Sequence, residues 1–335
     1  MKALIVGGTG FLGGAIVEAA VAAGCQVAVL SRGQTKRTLP EGVRVLQGDR
    51  HDDLAVLTDE RFDLVFDTCA YAPEAVERLL QVVGSSLRRY LFVSSVSVYG
   101  DYSKPQLCET DPVPTAAEAD LELARSLPTE RRSDAVAYAP SYGPLKRACE
   151  VVAQEMLGER AILLRSGLLV GAGDTSDRLT WWVRRIDQGG RVPVPAARDS
   201  FFQMIDVRDA AAFAVRAALD ERSGIYNMTS RDMPLSALLD AVVAVTDAEA
   251  ELVWLSAGKL EEAGIQPWTE LPLIAPSGAR WRYFLQIDTG KAHRDGLTCR
   301  PIAETLTDLL RWDRAHRDRP LKCGLCPAQE RALLA

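Results

Sequence analysis

Three residues spaced along the middle of the chain have the makings of an acid–base site: Ser95, Tyr142 and Lys146. A tyrosine, with an ordinary pKa of about 10, is a poor proton donor or acceptor at neutral pH. A lysine ammonium near the phenol favours the phenolate and moves that pKa toward the working range. A serine hydroxyl alongside can hold a substrate oxygen and stabilise developing charge. Taken singly, an exposed lysine and a core tyrosine are ordinary features. Their order and spacing carry the argument.

Such a set needs elements to hold it. Tyr142 and Lys146 are four apart, so they share a face if the segment is helical. Ser141-Tyr142-Gly143-Pro144-Leu145-Lys146 runs into a predicted helix at residues 148–157, and Pro144 suits a first turn. Ser95 closes the apolar run Tyr90-Leu91-Phe92-Val93-Ser94-Ser95, which predicts a buried strand. With Ser94, Ser97 and Tyr99 it forms a hydroxyl cluster at a strand's carboxyl end, where open α/β sheets place ligands.

The opening of the chain supplies the partner site. Ala3-Leu4-Ile5-Val6 predicts a buried strand, Gly7-Gly8-Thr9-Gly10 a tight turn, and Phe11-Leu12-Gly13 the start of a helix ending near Gly24. Strand, glycine turn and helix make a dinucleotide-binding corner, with helix-terminal N–H groups facing the pyrophosphate. The second strand, residues 26–30, ends in Ser31-Arg32, with Lys36 and Arg37 following and no carboxylate. A carboxylate there would suit the ribose of NAD, and a guanidinium suits the 2′-phosphate of NADP. NADP(H) is therefore favoured over NAD(H). Further strands are expected at 43–46, 64–67 and 161–165, giving an α/β, doubly wound parallel sheet. Asp49 and Arg50 follow the third, and Thr68-Cys69-Ala70-Tyr71 runs over the expected cofactor face after the fourth.

Composition narrows the class. The 335 residues carry a net charge of −6, which argues against a nucleic-acid partner. No apolar run is long enough to span a bilayer, and the reading is a cytoplasmic protein acting on a small molecule. Seven scattered cysteines fit reduced thiols. Cys323 and Cys326 form a lone pair without further ligands, so no metal is expected. The strand–helix alternation lapses after Gly171. The expected division is a nucleotide-binding domain at 1–170, with returning elements about 200–230, and a smaller substrate-binding region at 171–335. Residues 101–137 read as a long excursion with one short helix at about 116–126. A homodimer is compatible with this reading.

The motifs Gly7-Gly8-Thr9-Gly10-Phe11-Leu12-Gly13, Gly48-Asp49, Ser94-Ser95-Val96-Ser97-Val98-Tyr99-Gly100 and Tyr142-x-x-x-Lys146 together resemble the extended short-chain dehydrogenase/reductase family. That family includes sugar-nucleotide epimerases and dehydratases, and the resemblance covers residues 1 to about 230. It implies a Rossmann-type fold, with Tyr142 as general acid/base, Lys146 on the nicotinamide ribose, and Ser95 as the catalytic hydroxyl. It also implies that Gly7, Gly10 and Gly13 cradle the pyrophosphate and that Asp49 meets the adenine. Arg165-Ser166-Gly167 stands where many relatives carry Arg-Pro, on the nicotinamide side. Val96 and Ser97 replace the Asp-Glu pair of 4,6-dehydratases.

The activity implied is hydride transfer between NADP(H) and a secondary alcohol or ketone, on a sugar, sugar-nucleotide or glycosylated metabolite. The alternative is an epimerase with a transient ketone. A third reading is a non-catalytic nucleotide sensor or RNA-associated protein, because Gly48-Asp49-Arg50 and the Arg32 loop resemble a subgroup that includes chloroplast RNA-binding proteins. Substrate contacts are expected from Tyr71, Ser95, Tyr99, Arg178, Trp181 and Trp182.

Overall fold

Seven of the apolar runs in the sequence assemble side by side into a single parallel sheet. The computed structural model describes residues 1–34, 37–132 and 134–335, so Lys36 lies outside the described residues. The first half comprises β1 (Lys2–Val6), α1 (Phe11–Ala22), β2 (Gln26–Ser31), β3 (Arg44–Gln47), β4 (Leu64–Asp67) and α2 (Pro73–Val83). It continues with β5 (Arg89–Ser95), α3 (Glu118–Ser126), α4 (Tyr142–Leu157), β6 (Ala161–Ser166) and β7 (Leu169–Val170). Then follow α5 (Arg178–Asp187), β8 (Gly190–Pro195), β9 (Phe201–Phe202), β10 (Ile205–Asp206), α6 (Val207–Leu219) and β11 (Gly224–Met228). The remainder is β12 (Met233–Pro234), α7 (Leu235–Thr246), β13 (Ala250–Leu255), α8 (Ala257–Glu262), α9 (Gly290–Arg294), α10 (Ile302–Ala315) and α11 (Pro327–Leu334). No helix among the described residues is long and apolar enough to cross a membrane.

The sheet order is β3-β2-β1-β4-β5-β6-β11, and all six pairings are parallel. The chain builds outward from β1 to β3, then restarts on the other side with β4. That reversal opens a crevice at the carboxyl ends of β1 and β4, where open α/β sheets bind ligands. Helices α1 and α6 cover one face through Ile5, Ile16, Phe66 and Ala214, and α2 and α4 cover the other through Leu4, Leu79, Tyr90 and Ala153. Burial on both faces explains why these strands read as continuous apolar runs rather than alternating ones.

The sequence suggested that two later segments could return to this sheet. Only β11 does, pairing along β6 from Gly224–Ile162 to Met228–Ser166. The stretch at 205–206 instead pairs with β7 in a separate two-stranded ladder, because the chain turns aside after Ser166. Helices α5, α7 and α10 enclose a third core with Trp182, Leu239 and Leu309. Here the structure corrects an expectation. Trp181 and Trp182 pack edge to face in this core, 4.7 Å between centroids, and Trp182 donates to the Pro272 carbonyl at 2.7 Å. They are packing residues and do not line the pocket at the carboxyl end of the sheet.

Arg50 is corrected likewise. It is buried, and its guanidinium meets both oxygens of Asp67, at 2.5 and 2.7 Å, and the Ala75 carbonyl at 3.2 Å. Tyr90 donates to the same carboxylate at 2.7 Å. Burial alone would raise the Asp67 pKa, but Arg50 beside it and the hydrogen bonds from Arg50 and Tyr90 hold it below the usual range. Arg50 thus spends its guanidinium on fastening the end of β4. Removing one member of a buried pair strands the other charge, so Arg50→Ala should destabilise the fold by about 3–5 kcal/mol in urea unfolding. A loss below about 1 kcal/mol would mean that water relieves the carboxylate.

Candidate active site

The corner at the start of α1 is shaped by backbone contact. Gly7 has φ +82°, and a Cβ on Gly13 would lie 2.1 Å from the Gly7 carbonyl oxygen, so helix and turn meet with no side chain between them. Gly10, at the N-cap, offers no side-chain cap, and the first turn of α1 holds no acidic residue. The helix-terminal N–H groups and the positive end of the helix dipole are thus left for an anion. This cradle fits a dinucleotide pyrophosphate. Thr9 lies on the turn, while Phe11 and Leu12 lead into the pocket described below.

At the end of β2, Ser31 Oγ accepts from the Gly33 N–H at 3.1 Å. Arg32 Nη1 donates to the Thr129 carbonyl at 3.1 Å and lies 4.0 Å from Asp49. Asp49 in turn accepts from the His51 N–H at 2.9 Å, closing the turn after β3. Ser31, Arg32 and Asp49 therefore frame one end of the crevice without a free carboxylate next to Ser31. Thr68 binds the Val6 carbonyl at 2.8 Å and joins β1 to β4 above the glycine turn. Cys69 is half-buried behind it, and Ala70 turns its methyl into the core beneath, leaving only its backbone for a ligand.

The catalytic candidates converge in a 530 Å³ pocket at the carboxyl end of the sheet. Helix α4 starts at Tyr142, six residues before the sequence suggested, because Pro144 falls in the first turn, where its missing N–H breaks no bond. A Cβ on Gly143 would sit 2.2 Å from the Ser97 carbonyl oxygen. Glycine there lets the helix press against the turn that follows β5, which brings Tyr142 to Ser95. Ser95 Oγ accepts from the Ser97 N–H at 3.1 Å and lies 3.0 Å from the Ser97 hydroxyl.

Lys146 is 2% exposed and donates to the Val93 carbonyl at 2.9 Å. Its ammonium lies 4.5 Å from the Tyr71 ring centre, 4.9 Å from Phe92 and 5.8 Å from Tyr142. Burial pushes its pKa down to about 8. The Tyr142 phenol is not lowered, as the lysine had led us to expect. Burial raises it, while a hydrogen bond with Ser95 pulls the other way. Loss of water around the phenol is the larger effect, and the Lys146 ammonium lies 5.8 Å from the ring centre.

Several expected site residues line this pocket: Ser94, Ser95, Tyr142, Lys146, Tyr71, Thr68, Gly167 and Arg178. The Ser94 hydroxyl, however, is committed to Glu150 at 2.7 Å. Tyr99 is a correction. It is 3% exposed, its hydroxyl lies 2.8 Å from Asn227 Oδ1 and 2.9 Å from the Cys108 carbonyl, and its ring sits under Arg165. It locks the sheet edge and is not among the residues lining this pocket.

The sequence reading missed Asp174, Ser176, Trp268 and Thr229, all in the pocket wall. Asp174 accepts from the Ser176 N–H at 2.8 Å and hydroxyl at 2.7 Å, and burial raises its pKa. Arg178 stacks 4.9 Å from the Trp268 ring centre. The Thr229 hydroxyl is buried beside Gly167 with no hydrogen-bond partner. For Asp174 and Ser176 the signal available was the unbroken polar run Asp174-Thr175-Ser176-Asp177-Arg178 just after a glycine break. The 101–137 excursion also reaches the pocket. It ends in a turn that includes Ala135 and Val136 in the wall and stacks Tyr138 on Tyr71 at 4.9 Å.

With this geometry in place, the relationships of the chain can be read. A model of the NAD dependent epimerase/dehydratase family matches residues 3–229. The 2'-dehydrokanamycin reductase of Streptomyces kanamyceticus is 32% identical over 126 residues, 36% of this chain and 35% of that protein. The UDP-glucose 4-epimerase of Lactobacillus helveticus is 28% identical over 163 residues, 41% and 49% of the two chains. The chloroplast stem-loop binding protein of 41 kDa b of Arabidopsis thaliana is 26% identical over 249 residues, 68% and 58%. The matches thus span 35% to 58% of the length of these relatives.

Among solved structures, the fold is shared with the UDP-N-acetylglucosamine 4-epimerase of Methanobrevibacter ruminantium M1, bound to UDP-N-acetylmuramic acid. Its TM-score is 0.69 at 16% identity, over 94% of this chain and 98% of that one. It is shared too with the Bordetella bronchiseptica enzyme WbmG bound to NAD and UDP, with a TM-score of 0.66 at 17% identity over 94% of each chain. Glycine corner, sheet order and family match agree: the chain belongs to the NAD dependent epimerase/dehydratase family, in the extended short-chain dehydrogenase/reductase group.

Proposed function

We propose that this protein is an NADP(H)-dependent reductase that converts a ketone on a sugar-like or glycosylated small molecule to the secondary alcohol. The observation carrying the reading is the convergence of Ser95, Tyr142 and Lys146 on one pocket at the open end of the dinucleotide crevice. When bound, the nicotinamide supplies the hydride. Gly7, Gly10 and Gly13 would hold the pyrophosphate, Lys146 the nicotinamide ribose, and Gly167 would border the nicotinamide. Ser95 Oγ would hold the carbonyl oxygen, and Tyr142 Oη would give it a proton. A phenol kept protonated by burial suits a proton donor. Arg32 beside Ser31 favours NADP(H), and the reductase relative from S. kanamyceticus supports net reduction of a glycosylated ketone. A net charge of −6 does not favour the RNA-associated alternative.

The experiment is a screen of NADPH oxidation with sugar, sugar-nucleotide and simple ketones, with products followed by mass spectrometry. Tyr142→Phe should lower kcat by about 100-fold or more, the scale of a lost general acid, while NADPH still binds. Unchanged turnover would remove Tyr142 from the chemistry. An altered product without net NADPH oxidation would establish epimerisation instead.

The buried lysine sets a pH dependence. Lys146 is an ammonium below its pKa of about 8 and is neutral above it. Its charge stabilises the phenolate that forms as Tyr142 gives up its proton. kcat/KM for reduction should therefore be level at acidic to neutral pH and fall as pH rises through about 8. A profile level up to about pH 10 would show that Lys146 stays charged throughout.

Cofactor choice gives another test. A charge-assisted hydrogen bond contributes roughly 1.5–3 kcal/mol, so Arg32→Ala should weaken NADPH binding about 10- to 100-fold in a fluorescence titration. NADH binding should hardly change. Equal losses for both cofactors would overturn the 2′-phosphate assignment.

A further inference from the structure

A second and larger chamber, of 870 Å³, adjoins the 530 Å³ catalytic pocket, and Leu273, Phe284 and Leu285 line both. It is bounded by the 195–202 loop, α8 and the 265–286 segment. We propose that this chamber receives the distal part of the substrate whose carbonyl lies at Tyr142, and that it takes an uncharged or cationic, largely apolar group rather than a nucleoside diphosphate. The proposal rests on the carbonyl-reduction reading above and names the class of substrate.

Size, lining and charge carry the argument. The volume suits a ring system of drug-like dimensions, since such sites run to roughly 300–1,000 Å³. Apolar side chains such as Leu235, Leu260, Ile265 and Ile274 form much of the lining, with Trp281 and Tyr283 offering ring faces. Among the described lining residues, two carboxylates, Asp199 and Glu261, stand against one cation, Arg282. Arg282 lies along the Tyr283 ring, 5.3 Å from its centre. Arg198, next to the chamber in sequence, is stacked 4.3 Å from the Trp254 ring centre and is not part of the lining. Arg178 belongs to the catalytic pocket beside Asp174. A diphosphate is recognised by guanidinium forks arranged around it. Here the three charged residues are exposed, the carboxylates outnumber the cation, and the described lining residues hold no second guanidinium to complete such a fork.

Calorimetry on the 335-residue chain loaded with NADP⁺ tests this without turnover. The probes are cyclohexanone, 4-phenylcyclohexanone and UDP. The phenyl-extended ketone should bind at least about tenfold more tightly than cyclohexanone. Ala275→Trp, which fills the chamber, should erase that gain and leave cyclohexanone binding unchanged. UDP should give no saturable heat up to about 1 mM, whereas Asp199→Lys combined with Glu261→Lys should create UDP binding. Equal affinity of the two ketones, or wild-type UDP binding below about 0.1 mM, would overturn the proposal. The two readings fail separately. If NADPH oxidation is absent with every ketone but these binding results hold, carbonyl reduction falls and the chamber stands. If reduction is found but UDP binds the wild type, the chamber assignment alone falls.

Discussion

The site depends on a polar seam along the inner face of α4. Tyr142, Lys146 and Glu150 recur every four residues, so one stripe of the helix presents all three to the sheet. Glu150, fully buried, accepts from Ser94 at 2.7 Å and from Arg165 twice at 3.0 Å, and Arg147 reaches it from the same helix at 3.1 Å. Lys146 reaches back to the Val93 carbonyl. Strands β5 and β6 are thereby tied to the helix through charged groups that have no water to fall back on. Buried charges impose exact partners, because an unpaired one costs several kcal/mol. Sliding α4 by even one residue would break all of these contacts together. The register that satisfies them is the register that sets the phenol beside Ser95.

That seam also explains why Lys146 behaves as it does. A lysine in a dry site tends to lose its proton, and here burial outweighs the nearby acidic groups. The Val93 carbonyl and the faces of Tyr71, Phe92 and Tyr142 support the ammonium without neutralising it. The charge is held where it can act on the phenol, and it is held weakly enough to titrate near physiological pH. A carboxylate partner would have fixed the lysine charge and removed that sensitivity.

Legibility in the sequence followed the range of the interactions. The glycine corner and the parallel strands were readable because they are local: a buried strand is a short apolar run, and a helix start at a glycine turn is contiguous in the chain. Tyr142 and Lys146 were readable for the same reason, being one helical turn apart. Three other aromatic residues were not. Trp181, Trp182 and Tyr99 have the composition of ligand contacts, but which way a ring points depends on elements far away, namely Pro272 for Trp182 and Asn227 for Tyr99. Arg50 misled in the same way, since its partner Asp67 sits on the neighbouring side of the crevice. Asp174, Trp268 and Val136 come from three separate segments, and no local pattern announces that they meet around one pocket.

The two ends of the crevice are therefore built on different principles. The cofactor end is backbone against backbone, as at Gly7 and Gly13, where any added side chain would collide. The substrate end is made of loops, and two of its wall residues, Trp268 and Leu273, hold left-handed backbone at φ +70° and +69°. Such a conformation costs a bulky residue of order 1–3 kcal/mol and persists only where the surroundings over-determine it. Here Trp268 is fixed by Arg178 across its face and by Phe284 at its edge, 5.4 Å away, while Leu273 is sealed in the apolar core of the cap. Both residues belong to the 265–286 segment, which lines the catalytic pocket and the larger chamber alike. A relaxed loop at that point would let the lining that the two spaces share shift. Trp268 and Leu273 thus place two left-handed residues in the loop that lines the catalytic pocket, where packing rather than glycine holds the turn.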